Sequence, residues 1–179
     1  SFDFFRDQRE KRRLKYCWLK TIENNQDSPV VLANAASCIS TIDKKLAEKL
    51  YLKAIKLDSQ NPEYPRILSL MYIRGTLNGL DESALPCATK AIEYARQSLK
   101  LEDTTGEKWG LLQDICKVAL FKNDLEALEE FSIKLNEIAE ETDFYLHQIN
   151  AWNFSGCLAV RQGNADKGVE ILSKLMKFE

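Results

Sequence analysis

Residues 18–29 read WLKTIENNQDSP, and residues 51–62 read YLKAIKLDSQNP. The two stretches are 33 positions apart and share Leu, Lys, Ile and Pro at matching places. A period of about 34 residues is typical of a repeated pair of helices, in which one pair cannot bury its apolar stripe alone and packs on the next pair. The repeat therefore predicts an all-α protein built from antiparallel helix pairs.

The composition also favours helices. The chain of 179 residues is 45% hydrophobic and 29% charged, with only seven Gly and four Pro, which is few for a loop-rich or β protein. Charges interrupt every apolar run, so no stretch reaches the roughly 20 apolar residues of a membrane-spanning helix. No segment alternates polar and apolar residues with a β-branched bias, so we predict no sheet.

Capping residues mark the predicted helix ends. Ser28-Pro29 and Asn61-Pro62 each combine an N-cap with a proline at the start of a helix, and Asp43 is a candidate N-cap for the helix between them. Gly163-Asn164 is expected to end one helix and cap the next. The segment GTLNGLDES, residues 75–83, is predicted to be an exposed loop because it is rich in turn residues.

These marks predict about nine helices in a single domain, residues 1–179. A half repeat occupies residues 4–27, and four repeats follow at about 28–61, 62–104, 105–142 and 143–179. In the last two repeats the helices are expected at residues 109–121, 125–139, 144–162 and 165–178.

The final pair carries the most specific pattern, formed by Trp152, Gly156, Ala159, Gly163, Asn164, Gly168 and Leu172. This pattern resembles the tetratricopeptide repeat, and residues 147–172 are similar to a segment of uncharacterised bacterial tetratricopeptide proteins. The resemblance covers residues 14–178 and implies an α-α superhelix, a solenoid in which small residues let helices cross closely. The matching positions hold Ala35, Ser69, Gln113 and Gly156, and then Ala47, Ala91, Ala127 and Gly168.

In the tetratricopeptide family, the first helices of the pairs line a concave groove. The groove positions here would be Arg66, Leu70, Arg74, Asp114, Asn150, Asn153 and Arg161. The resemblance implies a non-enzymatic scaffold that binds an extended peptide or a helix of another protein. The three arginines suit carboxylate-bearing peptides. Leu32 and Ala36 stand where some members carry the Lys and Asn of a carboxylate clamp, so we do not expect chaperone-tail binding.

Two alternative functions stay open. The last helix, with Leu172, Leu175, Met176 and Phe178, would suit a structural or oligomerisation module that docks on a neighbouring domain or forms a homodimer. Residues 1–20 hold seven Lys/Arg and three Asp/Glu, whereas residues 121–145 hold two and eight. The basic stretch from Arg6 to Lys15 makes nucleic-acid binding the second and least favoured alternative.

No residue pattern indicates catalysis, a cofactor or a metal. His147 is the only histidine and is expected to be a partly exposed helix residue, so neither a nucleophile–base pair nor a zinc site is predicted. The carboxylates of Glu129-Glu130 and Glu140-Glu141 diverge along a helix. The five cysteines are expected to be reduced core residues, which favours a cytoplasmic location; they are Cys17, Cys38, Cys87, Cys116 and Cys157.

Overall fold

The structure, a computed structural model, describes residues 8–79, 84–102 and 105–177. Nine α-helices lie within these residues, and none of the described residues forms a β-strand, which confirms the all-α prediction. The helices are α1 (Gln8–Glu23), α2 (Pro29–Ile39), α3 (Lys44–Leu57), α4 (Glu63–Gly79), α5 (Leu85–Leu101), α6 (Thr105–Lys122), α7 (Leu125–Thr142), α8 (Tyr145–Arg161) and α9 (Ala165–Ser173). A short 3₁₀ helix, Lys174–Lys177, follows α9.

The chain forms two compact units, Ser1–Leu68 and Ser69–Glu179, with the boundary inside α4. In the first unit, α2 packs along α3 and α1 packs on α2. Leu32, Ile39 and Tyr51 are fully buried there. The single repeat domain expected over residues 1–179 stays a prediction.

In the second unit each helix from α5 to α9 packs on the next one along the chain. The apolar stripe of α7 is at the centre of this unit, because Leu128, Phe131 and Leu135 are fully buried. From α6, Leu112 and Ile115 enter the same core. The period of apolar residues in α7 therefore predicted its buried face correctly.

Side-chain caps begin the helices where the sequence placed them. Ser28 Oγ accepts a hydrogen bond from the Val31 N–H at 3.4 Å, and Asp43 Oδ1 accepts one from the Leu46 N–H at 3.0 Å. At the α8–α9 turn, Gly163 has a φ of 84°, which favours glycine, and Asn164 caps α9.

The small residues expected at helix crossings are all buried; they are Ala35, Ser69, Gly156, Ala47, Ala91, Ala127 and Gly168. Gln113, the one larger residue at these positions, is half-buried. The contact between α8 and α9 is the tightest example. A Cβ at Gly156 would collide with the Leu172 side chain, and a Cβ at Gly168 would collide with that of Val160.

The predicted loop at residues 75–83 is wrong in its first half, because α4 continues to Gly79. Thr76 is fully buried, and its hydroxyl donates a hydrogen bond to the Tyr72 carbonyl at 3.0 Å. Burial of Ile73 and Thr76 on this part of α4 outweighs the low helix propensity of its glycines. Residues 80–83 lie outside the described residues.

Three further helix ends differ from the prediction by three residues or more. Helix α6 begins at Thr105, four residues before the predicted Trp109, and Lys108 and Trp109 near its start are half-buried. Helix α7 ends at Thr142 instead of residue 139. Helix α9 ends at Ser173, where the chain tightens into the 3₁₀ helix. Phe178, expected in the last helix, lies outside the described residues.

The prediction that the cysteines are core residues is wrong for Cys17 and Cys38, which are exposed. Only Cys116 is buried, and burial raises the pKa of its thiol to about 12. Cys17 and Cys38 are exposed, and Cys87 and Cys157 are partly exposed. The apolar periodicity placed each cysteine within a helix, but it did not show that Cys17 and Cys38 are exposed, whereas Cys87 packs against the core of the second unit. All five are free cysteines.

Candidate functional site

The predicted groove residues lie on α4, α6 and α8, the first helices of three pairs. One of them, Arg66, belongs to the first unit, and the others belong to the second. Those on the second unit are Leu70, Arg74, Asp114, Asn150, Asn153 and Arg161.

Arg66 is already engaged within its own helix. Its Nε and Nη2 both donate to Glu63 Oε2, at 2.8 and 2.6 Å, and its side chain is only 23% exposed. The Glu63 N–H in turn donates to Asn61 Oδ1 at the start of α4. A peptide carboxylate would therefore compete with Glu63 for this guanidinium.

The two groove residues on the second half of α4 differ in exposure. Leu70 is half-buried and packs against the core of the second unit, so it is chiefly a packing residue. Arg74, four residues later, is exposed. Arg74 is therefore the cation of α4 that is more accessible to a ligand.

Helices α6 and α8 contact each other at corresponding ends. Near their first turns, the Trp109 ring of α6 lies on the His147 ring of α8, with centroids 3.9 Å apart. At their other ends, Arg161 Nη1 donates to Oδ1 of Asn123, the residue that follows α6, at 3.5 Å. The predicted groove residues of α6 and α8 therefore lie on two helices that contact each other.

The surface between these contacts is polar. Asp114 pairs with Lys117 on α6, with 2.9 Å between Oδ1 and Nζ. On α8, Asn150 Nδ2 donates to the Leu146 carbonyl at 2.8 Å, and Asn153 is exposed. Each asparagine has side-chain atoms at the surface that can still donate or accept a hydrogen bond, and such atoms suit hydrogen bonds to a peptide backbone. We name Asp114, Asn150, Asn153 and Arg161 the polar surface.

An aromatic cluster that the sequence did not predict lies at the start of α8. Phe144 and Tyr145 are 46% and 51% exposed, and their rings meet edge to face with centroids 5.6 Å apart. Phe144 also meets His147 edge to face at 5.0 Å. The adjacent aromatics of the FY dipeptide were the available signal in the sequence. We name Trp109, Phe144, Tyr145 and His147 the aromatic cluster.

His147 is held by packing and one hydrogen bond. Its Nδ1 lies 2.7 Å from Thr142 Oγ1, whose own proton is donated to the Ile138 carbonyl. Nδ1 therefore carries the imidazole proton and donates it to Thr142. Burial lowers the pKa of His147 below its ordinary value, so the ring is neutral near pH 7.

Two hollows on the second unit lie away from the polar surface. One, of 250 Å³, lies between α5, α6 and α7, and its apolar lining residues are Leu99, Leu112 and Ile138. The other, of 180 Å³, lies between α7, α8 and α9 beside Ile133. Neither contains a predicted groove residue.

Within residues 8–79, 84–102 and 105–177 there is no cluster of His, Cys, Asp and Glu that would hold a metal ion. Across the same residues, no helix combines the length and apolar character needed to cross a membrane.

No protein-family model matches the sequence, and no curated protein matches it either. The resemblance to tetratricopeptide repeats therefore depends on the repeat residues alone.

Proposed function

We propose that this chain is a non-enzymatic scaffold that binds an extended peptide or a helix of another protein through the side formed by α6 and α8. The Trp109–His147 and Arg161–Asn123 contacts, which join corresponding ends of these two helices, carry the proposal. Together the two helices would form a ledge along which a peptide lies.

The chemistry of this ledge fits a peptide. Asn150 and Asn153 offer donors and acceptors for a peptide backbone, and the exposed Arg161 offers a cation for a side-chain carboxylate. The partly exposed rings of Phe144 and Tyr145 offer an apolar anchor at one end. A few anchors combined with many modest polar contacts are typical of peptide recognition by helical grooves.

Selection from a displayed random-peptide library against the full chain, followed by affinity measurement on the enriched peptides, tests the proposal. We expect Asn150→Ala combined with Asn153→Ala to weaken binding about tenfold, because each lost hydrogen bond contributes about 0.5–1.5 kcal/mol. Glu93→Ala combined with Glu170→Ala, at exposed positions of α5 and α9, is the matched control and should leave affinity unchanged. Failure to enrich any peptide, or equal affinity of both variants, would count against the proposal.

The arginines of α4 provide a separate test. Arg74→Glu should weaken binding of acidic peptides more than Arg66→Glu does, because Arg66 is already paired with Glu63. Retention of every enriched peptide by the combined Arg66→Glu, Arg74→Glu variant would remove α4 from the binding surface.

A second candidate function is docking through the C-terminal helices. Val169 of α9 and Met176 of the 3₁₀ helix are 67% and 75% exposed, which favours an apolar contact with a neighbouring domain or a second copy. Val169→Ser combined with Met176→Ser should abolish any self-association that uses this surface, as measured by light scattering. Unchanged self-association in that variant would exclude it.

A further inference from the structure

The outward side of α1 carries a row of cations around one tyrosine. Arg9, Arg12, Tyr16 and Lys20 follow one another at intervals of three or four residues, so they lie on one side of the helix, and all are exposed. Tyr16 is 58% exposed, with the Lys20 ammonium 5.1 Å from its ring centroid. We name these four residues the basic stripe.

Helix α7 carries the opposite charge on its outward side. Glu126, Glu129, Ile133, Glu137 and Glu140 follow one another at the same intervals, and all are exposed. Ile133 at the centre is 54% exposed, although it belongs to a helix whose other side is buried in the core. We name these five residues the acidic stripe.

The two stripes match in spacing as well as in sign. In the basic stripe, cations stand seven and four residues before Tyr16 and four residues after it. In the acidic stripe, carboxylates stand seven and four residues before Ile133, and four and seven residues after it. Because a helix rises about 1.5 Å per residue, the charges lie at the same heights relative to the central side chain. The symmetry of the acidic stripe allows this match in either direction.

The hollow beside Ile133 offers a place for the tyrosine ring. It has a volume of 180 Å³ and is open to the surface, so a ring can enter it from outside. Asn136, Ser155 and Gln162 on its wall supply polar partners for a phenol hydroxyl. Asn136 already donates to Ser155 Oγ, which holds this wall in place.

We propose that the basic stripe of one copy of this chain packs along the acidic stripe of a second copy, with Tyr16 in the hollow beside Ile133. The contact is heterologous, so each copy keeps one stripe of each kind available and association continues into rings or short chains. One helix pair buries less than the roughly 1,200 Å² of a stable interface, so the association is weak, depends on concentration and is screened by salt.

Sedimentation velocity of the full chain over a range of concentrations tests the proposal. We expect oligomers at low ionic strength that dissociate at about 0.5 M salt, where the screening length falls to a few ångströms. Arg12→Glu combined with Lys20→Glu, or Glu129→Lys combined with Glu137→Lys, should each weaken association about tenfold or more. A monomer at every concentration in low salt would overturn the proposal.

Matched controls separate stripe contacts from net charge. Lys49→Glu with Lys56→Glu on α3, and Glu93→Lys with Glu170→Lys, make the same charge changes at exposed positions elsewhere. These variants should associate like the unaltered chain, and circular dichroism should show equal helix content in all of them. Equal weakening by controls and stripe variants would reduce the effect to net charge and reject the proposal.

Mixing gives the sharpest readout. A variant with a reversed basic stripe keeps its acidic stripe, and a variant with a reversed acidic stripe keeps its basic stripe. Each should be monomeric alone, and the two should associate when mixed through the one intact pair of stripes. A single chain carrying all four reversals should associate again. Absence of association in both the mixture and the fourfold variant contradicts the proposal.

Discussion

Helices α7 and α1 have similar sequence patterns but differ in how many of their residues are buried. Both place large apolar residues at helical intervals, but seven residues of α7 are buried and none of α1 is. Helix α7 packs on α6 and α8, whereas the principal contact of α1 within the described residues is with α2. Periodicity therefore selects which side of a helix faces its neighbours, and the number of neighbouring helices determines how far that side is buried.

The largest expected effect comes from removing the central ring of α7. Phe131→Ala should lower the free energy of unfolding by about 3–5 kcal/mol, because it opens a cavity in the core of the second unit. Trp18→Ala in α1 removes a ring that is only half-buried, so it should cost well under half as much. Urea denaturation followed by circular dichroism measures both.

Ile133→Ala is the control for Phe131→Ala, since it lies on the same helix with its side chain exposed, and it should change stability by less than about 0.5 kcal/mol. If Trp18→Ala were as costly as Phe131→Ala, the contrast between α1 and α7 would be wrong.

Helix α9 resembles α1 in burying little, since Gly168 is its only buried residue. Gly168→Ala should nevertheless destabilise the protein by about 1–3 kcal/mol, because the added methyl meets the Val160 side chain. Gly110→Ala is the matched control within α6. Nothing lies within 4 Å of the position of its Cβ, so it should stabilise the protein by about 0.4–1 kcal/mol. A neutral Gly168→Ala would mean that α9 does not approach α8 closely.

Much of the fold followed from local chemistry. The helix starts at Ser28, Asp43 and Asn164 were predicted because a capping side chain acts within its own turn. The continuation of α4 through Thr76 was missed because burial against residues distant in sequence outweighs the propensity of Gly75. The exposure of Cys17 and Cys38 was missed for the same reason, since a helical period does not reveal how many neighbours a helix has.

The candidate site was predicted in part. The repeat register placed Asn150, Asn153 and Arg161 correctly on α8, but it did not show that Arg66 is paired with Glu63 or that Leu70 packs in a core. The aromatic cluster arises from a contact between α6 and α8, whose residues Trp109 and His147 are far apart in sequence. No local pattern encodes such a contact.

Two capping aspartates, one at the start of α7 and one at the start of α3 beside α1, are each paired with a lysine. A hydrogen bond from Lys122 holds the pKa of Asp124 below its ordinary value at the start of α7, and one from Lys15 of α1 does the same for Asp43 at the start of α3. Asp124→Ala and Asp43→Ala should each cost about 1 kcal/mol near neutral pH. Because the folded-state pKa lies below its ordinary value of 3.8, the stabilisation is present above that pH and is lost as the pH falls through the folded-state pKa.

Unfolding measured at about pH 7 and pH 3 checks this expectation, since carboxylates titrate near pH 4. The differences between each variant and the unaltered chain should shrink at the lower pH. Differences that stayed constant would contradict the lowered folded-state pKa of both aspartates.

The smallest expected effect concerns the end of α7, where Thr142 meets His147. Burial holds the folded-state pKa of His147 below its ordinary value of 6.5, so as the pH falls the unfolded chain binds the proton before the folded chain does. Stability should therefore be complete above that pH and should fall as the pH drops from 6.5 through the folded-state pKa. His147→Gln should remove this dependence. Because the chain has one histidine, the interval between about pH 5.5 and 7 isolates this single group from the carboxylates. Thermal unfolding across that interval measures this pH dependence. Equal pH dependence in the unaltered chain and in His147→Gln would mean that the His147 ring lies in water and not beneath Trp109.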